Sequence, residues 1–283
     1  MKITRLLSSL FALALSLGVL ASAATPPPLP LNQPSGLALD ASGNLYVANL
    51  IGSNILKYNS AYVQQTAKTI TKGISEPGSV AFDPYGNLWV ANITTNSITE
   101  YSAAGVQNTS ATISSFQPNW LAFDGIGNLW VESGGSSLEI YGPATAYALP
   151  SQLVRTINLS PSAVVYATTV GAGVFVYGTS TQTFLESASA TLLGNPLNGG
   201  AFGFGASALA PDNKGNVYVA ASNRNLYIVK PGGTAAIIVV LPSGTVPGGM
   251  AVDNARARVY VSDALNNRIF VYSTKGVLLH TIT

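Results

Sequence analysis

Ser79-Val80-Ala81-Phe82-Asp83, continued by Gly86-Asn87-Leu88-Trp89-Val90-Ala91-Asn92, decides the fold because the chain keeps returning to it. An earlier copy reads Leu37-Ala38-Leu39-Asp40 with Gly43-Asn44-Leu45-Tyr46-Val47-Ala48-Asn49. A later one reads Leu121-Ala122-Phe123-Asp124 with Gly127-Asn128-Leu129-Trp130-Val131. Two more follow, Leu209-Ala210-Pro211-Asp212 with Gly215-Asn216-Val217-Tyr218-Val219, and Met250-Ala251-Val252-Asp253 with Val259-Tyr260-Val261. The aspartates are spaced 43, 41, 88 and 41 residues apart, so the 88 spans two periods. A degenerate copy is expected over 161–205, where Val174-Phe175-Val176-Tyr177 supplies a strand and the aspartate is missing. The count of copies is then six.

Within each copy, short apolar runs alternate with turn residues, which is the punctuation of strands. In the first copy the expected strands lie near 36–40, 44–48, 54–58 and 66–71. Asp40 caps the first hairpin through its side chain, and Gly43 takes the positive φ that other residues resist. Because the aspartate recurs in nearly every copy, it is read as a turn cap and not as a ring of ligands. Runs such as Leu45-Tyr46-Val47 are apolar on both strand faces, so both must be covered. Four-stranded units of this length with two covered faces are propeller blades. The expected fold is all-β, a six-bladed β-propeller of four-stranded antiparallel blades over 34–283. Blade boundaries fall near 34–75, 76–117, 118–160, 161–205, 206–246 and 247–283. Alanines such as Ala38, Ala81, Ala122 and Ala251 suit the first strand, which lies nearest the axis where blades crowd. Val277 to Thr283 supply the last blade's own fourth strand, so ring closure is expected from side-by-side packing.

Composition narrows the function. The apolar share is 47% and the charged share 8%, against about 25% charged in ordinary chains. So few charges exclude a basic nucleic-acid binder and an acidic tail. With Cys 0, disulfide scaffolds, thiolate metal sites and cysteine nucleophiles are excluded together. With His 1, a mechanism using two imidazoles is excluded as well. Lys2 and Arg5 precede an uncharged run from Leu6 to Leu20 and then Ala21-Ser22-Ala23, the pattern of a secretory signal cleaved after Ala23. The expectation is a secreted or periplasmic monomer with no membrane span. Residues 24–33 form a Pro-rich lead-in, and the eleven basic and eleven acidic residues left after cleavage give no steering toward polyanions.

The last copy, Tyr260-Val261-Ser262-Asp263-Ala264-Leu265-Asn266-Asn267-Arg268-Ile269, resembles the NHL-repeat group of propellers. The Gly-Asn-Leu-Trp-Val wording of the second and third copies also resembles streptogramin lyases. This resemblance covers about 34–283 and implies a fold shared by lyases, gluconolactonase-like lactonases and secreted binding proteins. The lactonases hold a channel metal with Glu, two Asn and Asp, and Asn119 matches the Asn of their Pro-Asn-Gly motif. Where they place an Asp after the second strand this chain has Ser133, with Glu132 beside it, and their first-blade Glu-Gly-Pro is replaced by Asn32-Gln33-Pro34-Ser35. The lyase mechanism needs His and Glu near a metal, whereas His280 stands on the last, outermost strand.

Candidate site residues are those where copies differ on one face. After the second strands stand Asn49, Asn92, Ser133, Gly178, Ala221 and Asp263, with Glu132 one position earlier than Ser133. Asn119-Trp120 leads into the third blade where neighbours have small residues, and Trp120 suits stacking on a flat ligand or packing between blades. The binding set is Asn49, Asn92, Asn119, Trp120, Glu132 and Asp263. The primary reading is a non-catalytic module without cofactor that binds an extracellular glycan, peptide or exported protein. The alternative is a divalent-metal-dependent lactonase or hydrolase holding Ca²⁺ or another divalent cation on Asn92, Asn119, Glu132 and Asp263. A structural component of the cell envelope is the third reading.

Overall fold

Each Asp-x-x-Gly-Asn stretch folds into the tight turn its residues call for. The computed structural model describes residues 26–135, 137–143, 152–158, 163–165, 173–178, 182–187, 206–230 and 235–283. In the third copy, Asp124 Oδ1 accepts the Ile126 and Asn128 amides at 3.1 and 2.8 Å, and Oδ2 accepts Asn128 Nδ2 at 2.7 Å. Gly127 sits at φ +90°, in the region that disfavours a side chain. Asp40, Asp83 and Asp212 repeat the arrangement. The last copy lacks Gly-Asn, and there Asp253 is held by the Arg256 amide and guanidinium. In the second and third copies Trp89 and Trp130 also donate their indole N–H to the aspartate, so a fully buried ring leaves no polar atom unpaired.

These turns join strands into antiparallel sheets. Blade one holds β1 (Pro34–Leu39), β2 (Leu45–Asn49) and β3 (Asn54–Tyr58). Blade two holds β4 (Pro77–Phe82), β5 (Leu88–Asn92), β6 (Ser97–Tyr101) and β7 (Gln107–Ser114). Blade three holds β8 (Pro118–Phe123), β9 (Leu129–Ser133), β10 (Ser137–Tyr141) and β11 (Leu153–Asn158). A small sheet follows, of β12 (Ala163–Val165), β13 (Gly173–Gly178) and β14 (Gln182–Ser187). The penultimate blade holds β15 (Ala206–Pro211), β16 (Val217–Ala221), β17 (Asn225–Val229) and β18 (Ala235–Val240). The last blade holds β19 (Pro247–Asp253), β20 (Arg258–Asp263), β21 (Arg268–Ser273) and β22 (Leu278–Ile282). No α-helix occurs among the described residues, and no helix there is long and apolar enough to cross a membrane.

Two expectations are corrected. Five blades carry the repeat, not six: the 161–205 interval has neither the aspartate nor the Gly-Asn that close the first hairpin, and its described part is a three-stranded sheet whose β12 touches β8 and β9. Blade one also lacks its fourth strand. Thr66–Lys68 form a 3₁₀ turn, and the segment pairs back on β3 through two isolated bridges alone, Gln64 with Tyr58 and Ile70 with Ile55. Before that turn, Gln64 bridges Tyr58 through its backbone while its side chain exchanges hydrogen bonds with the Leu29 backbone, so the loop is held by β3 and by the lead-in together. The signal segment and part of the degenerate interval lie outside the described residues.

The first strands of the five blades pack against one another in the order β8, β4, β1, β19, β15. Large and small residues alternate across these contacts. Ala38 packs with Val80 and Phe82 of the next blade, and Ala81 with Leu121 and Phe123. Ala251 packs with Leu37 and Leu39, and Ala210 with Met250 and Val252. A larger residue at the alanine position would force the blades apart at their narrow inner ends. Closure between the last blade and blade one uses the same packing. Leu31 of the lead-in enters a cluster with Tyr58, Tyr260 and Ile282, Gln33 N donates to Asn267 Oδ1 at 2.7 Å, and Tyr62 stacks on His280 at 4.4 Å.

Candidate functional site

The two faces of the propeller differ in the loops they carry. On the hairpin face lie the aspartate turns. On the other face lie the turns after each second strand and the loops that lead inward to each first strand. Here one contact recurs at a constant spacing of 17 residues. Asn49 Oδ1 accepts the Asn32 amide at 2.6 Å, and Asn92 Oδ1 accepts the Ser75 amide at 2.9 Å. Ser133 Oγ donates to the Phe116 carbonyl at 2.8 Å, and Asp263 Oδ1 accepts the Val246 amide at 3.1 Å. Each buried polar residue ending a second strand thus clamps the loop that leads into its own blade. We call this the clamp face.

The clamps engage most of the polar atoms of three of the six predicted site residues. Asn49 Nδ2 also donates to the Pro30 carbonyl and Asn54 Oδ1, and Asn92 Nδ2 to Thr99 Oγ1. Asp263 binds Asn266 and pairs with Arg268 Nε at 2.9 Å, so its charge is neutralised inside the blade. Asn119, Trp120 and Glu132 do come together. Trp120 and Glu132 face each other in the β8–β9 register, and the Asn119 side chain hydrogen-bonds the Glu132 carboxyl. Glu132 is only 2% exposed, and its Oε1 has no hydrogen-bond partner among the described residues. Burial pushes its pKa above the usual carboxyl value, while hydrogen bonds from Asn119 and the Gly135 amide pull it partly back.

A divalent cation on Asn92, Asn119, Glu132 and Asp263 does not fit this chemistry. A hard cation needs several free oxygens, yet the Asn92 oxygen holds Ser75 and the Asp263 oxygens hold an amide and a guanidinium. Among the described residues no three His, Asp or Glu side chains gather as a metal-holding group.

The axial channel is lined by the inner strands, and polar atoms make up more of its exposed wall than apolar ones. Its volume is about 270 Å³. One ring of its wall consists of the residue before each aspartate, Leu39, Phe82, Phe123, Pro211 and Val252. A deeper ring consists of Leu37, Val80, Leu121, Leu209 and Met250. Trp120 also lines it and packs against the core cluster of the penultimate and last blades, so this side chain crosses the axis. The signal for these rings was in the sequence, since the residue before every repeated aspartate is bulky and apolar.

This architecture, antiparallel blades packed through their first strands around a central channel, is that of a β-propeller. Among solved structures, the chain is similar to virginiamycin B lyase from Staphylococcus aureus, with a TM-score of 0.62 at 11% identity over 89% of this chain and 86% of that one. A streptogramin B lyase gives 0.65 at 12% identity, over 92% and 85%. A gluconolactonase from Xanthomonas campestris gives 0.65 at 13%, over 83% and 84%. At such identities the likeness is one of fold. No protein-family model and no curated protein sequence matches the chain.

Proposed function

We propose that this chain is an exported binding propeller that engages a peptide or another exported protein through its clamp face. The observation that carries the reading is a set of large apolar side chains standing out of loops that buried hydrogen bonds hold in place. Phe116, 63% exposed, and the exposed Val246 are themselves clamped residues, held by Ser133 and Asp263. Leu265, 66% exposed, and Ile51 stand on the turns that follow Asp263 and Asn49. Exposed apolar groups on a pre-organised rim favour protein contact, because little loop entropy is lost on binding. The test is a photo-cross-linking side chain placed at position 116 in the native host, with position 126 on the hairpin face as the control. Adducts from 116 alone are expected. Adducts from both positions, or from neither, overturn the reading.

A metal-dependent lactonase is the second reading; it would have to dispense with Asn92 and Asp263, whose oxygens are engaged, and the observation in its favour is the unpartnered Oε1 of buried Glu132 beside Asn119. Thermal unfolding separates the two. A cation that binds the folded state at 100 times its Kd stabilises by about 2.7 kcal/mol. The binding reading expects no response to EDTA or Ca²⁺, whereas a rise with Ca²⁺ that Glu132→Ala removes would favour the enzyme.

A further inference from the structure

We propose that the outer corner of the hairpin face on the last two blades is a docking surface for a membrane rich in anionic phospholipid. The near-equal totals of basic and acidic residues hide a segregation of charge along the chain. Residues 24–205 hold four basic and eight acidic side chains, whereas residues 206–283 hold seven basic and three acidic ones. Those three carboxylates are already engaged. Asp212 accepts the Lys214 and Asn216 amides inside its own turn, Asp253 pairs with Arg256 at 3.1 Å, and Asp263 with Arg268 at 2.9 Å. Lys214, Lys230 and Lys275 are exposed, and none of them has an ion-pair partner among the described residues.

The fold gathers these lysines at one corner. Lys214 stands in the β15–β16 turn, Lys230 directly after β17 and Lys275 in the β21–β22 turn, all at the hairpin-face ends of their strands. A notch of about 240 Å³ between the two blades is lined by Lys214, Ile228, Ala257 and Thr274 together, so Lys230 and Lys275 lie within two residues of its wall. Gly276 packs so closely on the Ile238 carbonyl that no Cβ fits between them, and the β21–β22 turn therefore rests directly on β18. At that junction Ile237, Val277 and Leu278 are each at least half exposed. Residues 231–234, between β17 and β18, carry no charge. A cationic rim attracts anionic headgroups, and bulky apolar side chains beside it leave water only where acyl chains begin. A hydrated polyanion would use the lysines and leave the apolar groups in water. This surface lies opposite the clamp face, and its failure would leave the function proposed above untouched.

Co-sedimentation with vesicles tests the proposal, using the exported protein purified from its native host. The protein is expected to bind vesicles of phosphatidylglycerol mixed with phosphatidylcholine, and not vesicles of phosphatidylcholine alone. Salt at about 1 M, which shortens the screening length to about 3 Å, should release most of it. Lys230→Glu and Lys275→Glu should each weaken binding at least about fivefold. Lys68→Glu, the same charge change on the exposed surface of blade one, should alter it less than about twofold. Val277→Ser combined with Leu278→Ser should weaken it about tenfold with the lysines intact. All five side chains are exposed, and circular dichroism checks that each variant is folded. No binding to the anionic vesicles, or a loss from Lys68→Glu equal to that from the other two lysine substitutions, would overturn the proposal. So would full binding by the double serine variant, which would mark the partner as a hydrated polyanion.

Discussion

Asp124 accepts four hydrogen bonds, from the Ile126 and Asn128 amides, Asn128 Nδ2 and Trp130 Nε1, and it is almost wholly buried. Asp124→Ala leaves those donors unpaired, so a loss of about 3 kcal/mol in urea unfolding is expected. Glu132 behaves in the opposite sense. Its folded pKa is raised by burial, so the native state holds the proton more tightly than the unfolded chain does. Its ionisation therefore opposes folding: the cost is absent below the unfolded carboxyl range and grows as pH rises through the folded value. Glu132→Gln should accordingly be more stable than the parent at neutral pH, with the difference in melting temperature vanishing in acid. A difference that stays constant with pH would show that burial of the charge is not its cause. At this scale the sequence read well where a residue serves its own turn and poorly where it serves another loop. The position held by Asn49, Asn92, Ser133 and Asp263 varies among copies, which looked like ligand choice, yet several polar side chains can make the one bond a clamp needs. Only the fixed offset of 17 residues to the clamped loop betrays the role.

At the level of elements, inner strands are set by the alternation of alanine with bulky residues, and outer strands by local pairing together with a few buried residues such as Ala111, Ile113 and Ile282. Gly249 lies where β19 meets β1, and Gly249→Ala drives a methyl into the Ser35 carbonyl, which cannot move without shifting the strand. A loss of about 2–3 kcal/mol is expected from equilibrium denaturation; a neutral substitution would mean that the two strands are free to separate. The strands from 54 to 58 and around Leu45-Tyr46-Val47 were legible because period and turn chemistry agreed. The stretch 66–71 was not, since its β-branched residues favour a strand while Thr66–Lys68 close a 3₁₀ turn next to Gln64, whose tie to Leu29 is remote in sequence.

For the whole molecule, the repeat spacing announced a propeller but not its blade count, because spacing cannot distinguish a weakened blade from an interval that builds something smaller. Closure is the other global property. Leu31 is buried in the cluster that joins the two ends of the ring, so Leu31→Ala should cost about 3 kcal/mol. That loss should appear as one cooperative transition at a lower denaturant concentration; an early separate transition would mean that the seam opens independently.

Because β22 comes from the last blade itself and the lead-in contributes a packed side chain and no strand, the ring has no blade shared between its two ends. Leu31 and Ile282 lie in one cluster, which brings the segments near both termini together. Circular permutation is therefore geometrically open to this protein: a short linker from Thr283 to Pro26, with new termini cut between the exposed Lys72 and Gly73, interrupts no strand. Such a permutant should fold and unfold at a denaturant midpoint close to the parent's.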